Sequence, residues 1–266
     1  YARVMIPPTA RPRPHRRASS AVQPRAAAMG RVNRAPRANP AAIIVEPVQG
    51  EGGVIVPPDD FLPELRRLAD EEEILLIIDE IQTGFGRTGR MFASEHNGVT
   101  PDIMTVAKSL GGIGYPLSGV LYHARLDTVQ PGGHMGTFRG HLVAMAAGAA
   151  AIDFMLENNL MEHVARLGEL LLEELRQLQE EIGQIGEVRG KGLFIAVELV
   201  KDRKTKEPHP ELVKAVQRRC YERGLLVWSA GHFGNVLRIM PPLVITEELA
   251  LKGLEIFKKT LRELAG

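Results

Sequence analysis

The sequence lacks the features that define a cross-linked, metal-bound or membrane-embedded protein. Its 266 residues include one cysteine, Cys220, and 5% aromatic residues. A single cysteine excludes an intramolecular disulfide framework and a zinc cluster built from several cysteines. The longest apolar run, 142–152, has about half of the roughly 20 residues that span a bilayer, so no membrane segment is predicted. Scarce cysteine is typical of a reducing compartment, and a cytoplasmic location is expected.

Acidic residues are missing from the first 40 positions, although the whole chain is nearly neutral. Residues 1–40 contain nine arginines, nine alanines and seven prolines. The remaining 24 basic and 32 acidic residues leave a net charge of −8. This balance excludes a general polyanion binder, and no nucleic-acid partner is expected. Residues 1–40 have few large apolar side chains, so we predict a disordered basic segment, with a transit peptide, a nucleic-acid-binding arm or a sequence artefact as alternatives.

From residue 41 the sequence alternates between short apolar runs and helical periods. This pattern predicts an α/β fold with a mostly parallel sheet, because parallel strands are buried on both faces. The predicted strands are 41–45, 74–78, 103–107 and 118–122. Between the first two, Phe61, Leu65, Leu68 and Ala69 share one helical face, and Asp59 or Asp60 is the expected N-cap.

The second half of the sequence predicts a different arrangement. Apolar spacing indicates a helix over 141–156 and another from Leu160 to Leu178. A small C-terminal α+β unit is expected from the remaining pattern. Its predicted elements are a strand at 193–199, a helix at 212–223, strands at 225–228 and 236–240, and a final helix capped by Thr246. We therefore predict an incomplete large domain at 41–158 and a small domain at 159–266.

Three predicted parallel strands are each followed at once by a functional side chain. These side chains are Glu46, Asp79 and Lys108. Ligands bind at the carboxyl edge of an open parallel sheet, because the strands end together there and their loops form a crevice. A single such residue is most simply the first polar position after a buried strand. Three in succession favour one shared pocket.

The nature of the three groups suggests a particular chemistry. Lys108 leads from a buried strand into a glycine-rich loop, where partial desolvation lowers the pKa of an amine and makes it available for a Schiff base. Schiff-base chemistry on pyridoxal phosphate also needs a carboxylate beside the ring nitrogen, and Asp79 is suited to that role. A substrate carboxylate needs a cation, and Arg238 in the alternating strand 236–240 is a candidate. An arginine on an edge strand in water is equally compatible with the spacing.

From Ala42 to the C-terminus the sequence resembles the class III pyridoxal-phosphate-dependent aminotransferases, the ω-aminotransferase family of fold type I. The GTFRG motif and the following AMAAG resemble the 2,4-diaminobutyrate and 4-aminobutyrate branch of that family. The resemblance implies a mostly parallel large-domain sheet with a small C-terminal α+β domain. Six motifs carry it in order: EPVQGEGG at 46–53, LLIIDEIQTGFGRTG at 75–89, PDIMTVAKSLGGIGYPLSG at 101–119, GTFRG at 136–140, VRGKGLFIAVEL at 188–199 and LRIMPPLVIT at 237–246.

The resemblance implies roles around the cofactor ring. Lys108 would hold pyridoxal 5'-phosphate as a Schiff base and, once displaced by substrate, would transfer the proton between substrate and cofactor. Asp79 would pair with the ring nitrogen. Ile81 would pack on one face of the ring, and Gln82 would bind its phenolic oxygen.

The resemblance also implies roles for the substrate and for a second subunit. Thr137 would reach a cofactor phosphate oxygen in the other subunit, which implies a homodimer. Arg238 would bind the carboxylate of 2-oxoglutarate or of the amino acid. Glu46 would neutralise Arg238 when an ω-amine without that carboxylate enters.

Some family features are not found in this sequence. Family members are usually much longer, and their N-terminal part supplies a phosphate-binding Gly-Ser/Thr loop and an aromatic residue that stacks on the cofactor. Residues 1–40 contain neither feature. Ser109 stands where the family usually has glycine, and His141 where it often has asparagine. Cofactor affinity is therefore expected to be the weak point of this chain.

The predicted activity is transamination between an ω-amino or diamino acid and 2-oxoglutarate. One alternative is an amino-acid racemase of the same fold, in which Lys108 works with a second acid or base. Another is an inactive truncated homologue that acts only as a dimerisation or binding module, and a basic-arm nucleic-acid binder is more remote. No metal site is expected, because the histidines lack ligand spacing. Gly84, Gly86 and Gly89 match a dinucleotide pattern but follow no strand closely and open no helix.

Overall fold

The first half of the chain forms a mixed five-stranded sheet. The computed structural model describes Arg3–Met5, residues 40–112 and residues 114–265. The sheet has the strand order β1-β2-β3-β4-β5, in which β2 pairs with β3 and β3 with β4 in parallel. The strands are β1 (Arg3–Met5), β2 (Ala42–Val45), β3 (Leu75–Asp79), β4 (Ile103–Val106) and β5 (Gly119–Tyr122).

Two predictions about this sheet are wrong. β5 was expected to be parallel but pairs antiparallel with β4, with Val106 opposite Gly119. A parallel return usually runs through a crossover α-helix, whereas the described part of this connection forms only a short 3-10 helix, Lys108–Gly111. Arg3–Met5 was placed in the disordered segment but pairs antiparallel with β2. The rest of the prediction for 1–39 lies outside the described residues.

The crossover from β2 to β3 contains the predicted helix, α1 (Phe61–Glu71). Asp60 holds the N-cap position, as expected. Leu62, Leu65 and Ala69 are buried against the sheet, and the sequence pattern missed Leu62. These side chains pack on the apolar residues of β2 and β3 and hold α1 on one face of the sheet.

Two helices connect the halves of the chain. α2 (Leu142–Glu157) begins at His141, whose Nδ1 accepts a hydrogen bond from the backbone N–H of Ala144 at 3.2 Å. His141, a departure from the family pattern, therefore caps this helix. α3 (Leu160–Glu181) follows directly. The predicted domain boundary after residue 158 falls between α2 and α3 and stays a prediction.

The second half forms an antiparallel sheet with the strand order β6-β7-β9-β8. The strand predicted at 225–228 lies instead at Trp228–Ala230. The strand Ile185–Lys191 was not predicted, because its charged and glycine residues hide the alternation. The elements are β6 (Ile185–Lys191), β7 (Phe194–Leu199), α4 (Pro210–Glu222), β8 (Trp228–Ala230), β9 (Val236–Ile239) and α5 (Glu247–Ala265).

A continuous apolar core lies between this second sheet and helices α3, α4 and α5. Cys220 is fully buried in it, and burial raises the pKa of its thiol. The hydroxyl of Thr246 accepts from the N–H of Leu249 at 3.3 Å and caps α5 as predicted. Within the described residues, no helix is both long and apolar enough to cross a membrane.

Arg87 joins the two halves. Its guanidinium donates to the carbonyl oxygens of Leu193 at 3.1 Å and Pro241 at 2.7 Å. Burial lowers the pKa of Arg87 to about 10. The turn after β3 is thereby attached to the second sheet, which matters for the site because that turn carries Ile81 and Gln82.

Candidate active site

The carboxyl ends of β2, β3 and β4 meet at one edge of the first sheet. Val45 lies opposite Ile78, and Asp79 lies opposite Thr105. Glu46, Asp79 and Lys108 therefore leave the sheet at the same edge, as the sequence predicted. The shared edge follows from two parallel pairings in register.

One carboxylate oxygen of Asp79 accepts two hydrogen bonds, which orient the side chain. Its Oδ1 accepts hydrogen bonds from the N–H of Ile81 at 3.0 Å and from the hydroxyl of Thr105 at 3.0 Å. Its Oδ2 accepts none from the residues that the structure describes. The carboxylate is thus oriented and keeps an acceptor for a protonated ring nitrogen. Sequence reasoning missed Thr105, although its position before Val106 on β4 placed it beside Asp79.

Lys108 stands at the first position of the short 3-10 helix and has a left-handed backbone, with φ of 51°. This conformation costs of order 1–3 kcal/mol for a residue with a Cβ, and such strain is concentrated at functional sites. The expected partial desolvation of its amine is wrong, because the Lys108 side chain is exposed. The turn carries the side chain away from the buried strand, and most residues of 114–122 are also exposed.

Gln82 lies against the loop that follows β2. A Cβ built on Gly50 would be 1.4 Å from the Gln82 side-chain oxygen, so the Gln82 amide occupies the space beside Gly50. Any side chain at position 50 would displace it. Ile81 is half-buried, next to Asp79 in the same turn. Gly50 is a site residue that sequence reasoning missed, although its place in the EPVQGEGG motif was the available signal.

Arg238 lies on β9, which is an internal strand of the second sheet, so the edge-strand interpretation is wrong. Its side chain is 7% exposed, and its guanidinium donates to Oε1 of Glu51 at 2.6 Å. The Nε atom of Arg238 is buried and has no hydrogen-bond partner among the described residues. A buried guanidinium that holds an exposed carboxylate can exchange it for another one.

The expected pair of Glu46 with Arg238 is not formed. Oε2 of Glu46 accepts the N–H of Gly50 at 2.8 Å and closes the turn that follows β2. This turn reverses the chain and brings Glu51, instead of Glu46, to Arg238. The EPVQGEGG motif contains both glutamates, and strand spacing alone gave no reason to choose the second.

Glu51 connects the two parts of the site. The hydrogen bond from Arg238 lowers the pKa of the Glu51 carboxyl; burial opposes this shift, and the charge of Arg238 adds to it. A hydrogen bond from Gln82 and the charge of Lys108 lower the pKa further. Glu51 therefore interacts electrostatically with Arg238 on the second sheet and with Gln82 and Lys108, which follow strands of the first sheet.

Glu80 is a buried carboxylate directly behind this site. Its oxygens accept from the N–H groups of Ser94 at 2.8 Å and Ala93 at 3.1 Å, and from the hydroxyl of Thr83. Burial raises the pKa of Glu80, and these hydrogen bonds oppose the shift. Glu80 fixes the turn that carries Gln82. The sequence analysis gave Glu80 no role, because it assigned the functional carboxylate at the end of β3 to the neighbouring Asp79.

Thr137 has no hydrogen bond with the described residues at this edge of the sheet. It lies in the exposed turn before α2, where residues 127–141 are almost all exposed. Its expected contact with a cofactor in a second subunit stays a prediction. The described residues contain no group of three or more histidine, cysteine or acidic side chains that could hold a metal ion.

The fold and the site define a class of protein: an α/β chain with a strand-end lysine, an oriented aspartate and a buried arginine paired with an exposed glutamate. The class III aminotransferase family model matches residues 6–261. The chain belongs to this family, and the resemblance found in its motifs is confirmed. The matched range begins inside the arginine-rich segment.

Individual relatives are named after two different activities, racemisation and transamination. The chain is 46% identical over 225 residues to a leucine/methionine racemase of Thermococcus litoralis, covering 84% of this chain and 50% of that protein. It is 40% identical over 228 residues to a diaminobutyrate–2-oxoglutarate aminotransferase of Haemophilus influenzae, covering 84% and 50%. The second name is consistent with the predicted branch. The chain spans about half the length of the curated relatives it matches.

A solved structure shows the same fold. An amine transaminase from an uncultivated Pseudomonas species, in its PLP-bound form, has a TM-score of 0.77 and 38% sequence identity. The match covers 83% of this chain and 52% of that chain. The expected fold type I architecture is thereby confirmed for the part of the fold that this chain contains.

Proposed function

We propose that the protein binds pyridoxal 5'-phosphate and transfers an amino group between an ω-amino or diamino acid and 2-oxoglutarate. The observation that carries this proposal is Arg238, which is buried, paired with Glu51 and has no partner for its Nε in the part of the chain that the structure describes. A site for the carboxylate of 2-oxoglutarate needs such a cation. Lys108 and Gln82 lie within electrostatic reach of the same Glu51 carboxylate.

The residues at the sheet edge fit the ring end of the cofactor. Pyridoxal phosphate supplies an electron sink when bound. Asp79 would use its Oδ2, which accepts no hydrogen bond from the described residues, to keep the ring nitrogen protonated, while Thr105 and Ile81 hold its other oxygen. Gln82 would donate to the phenolic oxygen, and the Ile81 side chain would pack on one ring face.

Lys108 would bind the cofactor through its Nζ and, when substrate displaces it, carry a proton to and from the reacting carbon. Its exposed position leaves the Nζ accessible. Thr137 would bind a phosphate oxygen of the cofactor held by a second copy, so we propose a homodimer. The cytoplasmic location stays a prediction.

Glu51 takes the role that the sequence assigned to Glu46. With an ω-amine in the site, Glu51 would neutralise Arg238. With 2-oxoglutarate, the substrate carboxylate would replace Glu51 on the guanidinium. One pocket can thereby accept two substrates that differ in charge.

Reduction of the cofactor adduct tests the proposal. The purified chain is incubated with pyridoxal phosphate, treated with borohydride and mapped by peptide mass. The adduct is expected on Lys108, and Lys108→Ala should abolish it because the bonding amine is gone. Lys252→Ala, an exposed lysine on α5, is the matched control and should keep the adduct. An adduct that persists in Lys108→Ala would contradict the assignment, and a folded chain without any adduct would favour the inactive binding module.

A racemase is the second candidate, because one relative with 46% identity is named as a racemase. The two activities differ in their products. An aminotransferase releases a keto acid from the donor only when 2-oxoglutarate is present. Inversion of an amino acid without 2-oxoglutarate would overturn the transaminase proposal.

A further inference from the structure

The VRGKGLF motif has no role in the site described so far, although Arg189 within it is almost fully buried. Arg189 lies on β6, and its side chain is 9% exposed. Its NH1 group donates to Glu198 at 2.5 Å and to Glu187 at 2.7 Å. Its Nε and NH2 groups donate to backbone carbonyl oxygens of the loop after β2: Gly53 at 3.0 and 2.7 Å, and Val54 at 3.2 Å.

This loop is the one that carries Glu51. Gln49 and Ile55 close it with two backbone hydrogen bonds of 3.1 and 3.0 Å. Gly53 has φ of 115°, a conformation that favours glycine, and a Cβ there would lie 3.1 Å from NH2 of Arg189. The backbone is thus shaped to present its carbonyl groups to this guanidinium.

The loop is also attached to the second sheet at Glu51 itself. The N–H of Gly231 donates to the carbonyl oxygen of Glu51 at 3.0 Å. The backbone is therefore held at Glu51 and again two residues later. The Glu51 side chain is 76% exposed, and its closest contact is with Arg238. A fixed backbone with an exposed side chain lets the carboxylate move while the loop stays in place.

We propose that Arg189 is a positioning residue for substrate selection: it holds the loop 49–55 on the second sheet so that only the Glu51 side chain competes with a substrate carboxylate for Arg238. The proposal rests on the proposed function, because it deepens the role of the Arg238 site. Arg189 itself touches neither Arg238 nor Glu51 in the described contacts.

The sign of the effect follows from the two anchors. Arg238 is held in an internal strand by pairing with β7 and β8, so its position does not depend on the loop. Loosening the loop lowers the occupancy of Glu51 at Arg238 and leaves Arg238 in place. A dicarboxylate then meets a weaker competitor and binds more tightly. General structural damage would have the opposite effect.

The first experiment measures 2-oxoglutarate binding to the full chain by calorimetry. Glu51→Gln should tighten binding by roughly tenfold, and Arg189→Lys by roughly fivefold, in the range of site-to-site coupling. Lysine keeps the charge but has three donors instead of five and no planar fork, so it cannot reproduce the Arg189 contacts with both carbonyl groups and both glutamates. Arg67→Lys is the matched control, because Arg67 is an α1 arginine that pairs with Glu64 and Glu71 of its own helix. It should leave the affinity unchanged.

The double variant Arg189→Lys/Glu51→Gln separates positioning from an independent contribution. If Arg189 acts through Glu51, the double variant binds 2-oxoglutarate as Glu51→Gln does. Effects that add in full, or an Arg189→Lys affinity equal to or weaker than wild type, would overturn the proposal.

A second readout needs neither substrate nor cofactor. The pKa of the Glu51 carboxyl, followed by NMR titration of the free chain, should rise towards its usual value in Arg189→Lys. An unchanged pKa overturns the inference even where the wild type binds no 2-oxoglutarate. Borohydride reduction at Lys108 distinguishes the two claims: no adduct with a shifted Glu51 pKa defeats the proposed function alone, and a normal adduct with an unshifted pKa defeats the inference alone.

Discussion

The two sheets differ in how completely their apolar surfaces are covered. In the second sheet, β7 buries Ile195, Val197 and Leu199 completely, and α3, α4 and α5 supply the other side of one continuous core. In the first sheet, Val120 and Leu121 on β5 are about half exposed. They border an apolar cavity of about 370 Å³. This core of the second half is therefore closed by its own three helices, and we call it the closed unit. In the first half, α1 covers one face of the sheet, whereas the described residues leave β5 partly uncovered.

The two long helices that join these halves show the same contrast. α3 buries one apolar face, including Leu167, Leu171 and Leu175. α2 is apolar on every side, and only Ala144, Gly148 and Met155 are buried. A helix that is apolar all round is typical of an interior position. Among the described residues nothing covers its remaining faces, so the sequence of α2 is suited to more cover than this half-length chain provides.

The largest effect is expected in the closed unit. Leu175→Ala should lower the free energy of unfolding by about 3 kcal/mol, because a fully buried leucine leaves a cavity in a well-packed core. Urea unfolding followed by circular dichroism measures it. A loss below about 1 kcal/mol would contradict the view that this core dominates stability.

A smaller loss of stability is expected when Asp102 is replaced, a carboxylate of the first half that pairs with Arg66 and Arg125. Burial raises the pKa of its carboxyl, but hydrogen bonds from the N–H of Leu76 and from Arg66 and Arg125 outweigh burial and hold the pKa below its usual value. Asp102→Asn should cost about 2 kcal/mol at pH 7, because a nearly buried carboxylate loses two guanidinium partners.

The pH dependence sharpens this prediction. A lowered pKa means that the Asp102 contribution is complete above its unfolded pKa of about 4 and is lost as the pH falls through the folded pKa. The difference in unfolding free energy between wild type and Asp102→Asn should therefore be constant above about pH 5 and shrink below it. A difference that stays constant down to pH 3 would show that the ion pairs are not its source.

Much of the architecture was accessible from sequence. Strands buried on both faces appear as unbroken apolar runs, so β2, β3 and β4 were predicted within one residue at each end. The direction of β5 was not predicted, because an apolar run has the same composition in either direction. β6 was missed because its charged and glycine residues hide the alternation. One of them, Arg189, serves contacts with Gly53 and Val54 in the first half of the chain, which a local pattern does not contain.

The site divides in the same way. Asp79 and Lys108 were predictable because parallel strands end together. The Glu51–Arg238 pair was not, since it joins residues 187 positions apart. It depends on a turn closed by Glu46 and on how the two sheets meet. Site residues fixed by one sheet follow from sequence, whereas residues fixed by the junction require the structure.

The smallest effect on the free energy of unfolding is expected on the exposed face of α2. This prediction tests the contrast between α2 and α3 most directly. Leu142 is 81% exposed at the start of α2, so Leu142→Gln should change the unfolding free energy by less than about 0.5 kcal/mol. The matched change Leu171→Gln on α3 should cost several times more, because Leu171 is 3% exposed. If Leu142→Gln instead costs about 2 kcal/mol and the cost rises with protein concentration, α2 is covered in solution by another copy of the chain. The contrast between the two halves would then hold for the single chain but not for the assembled protein.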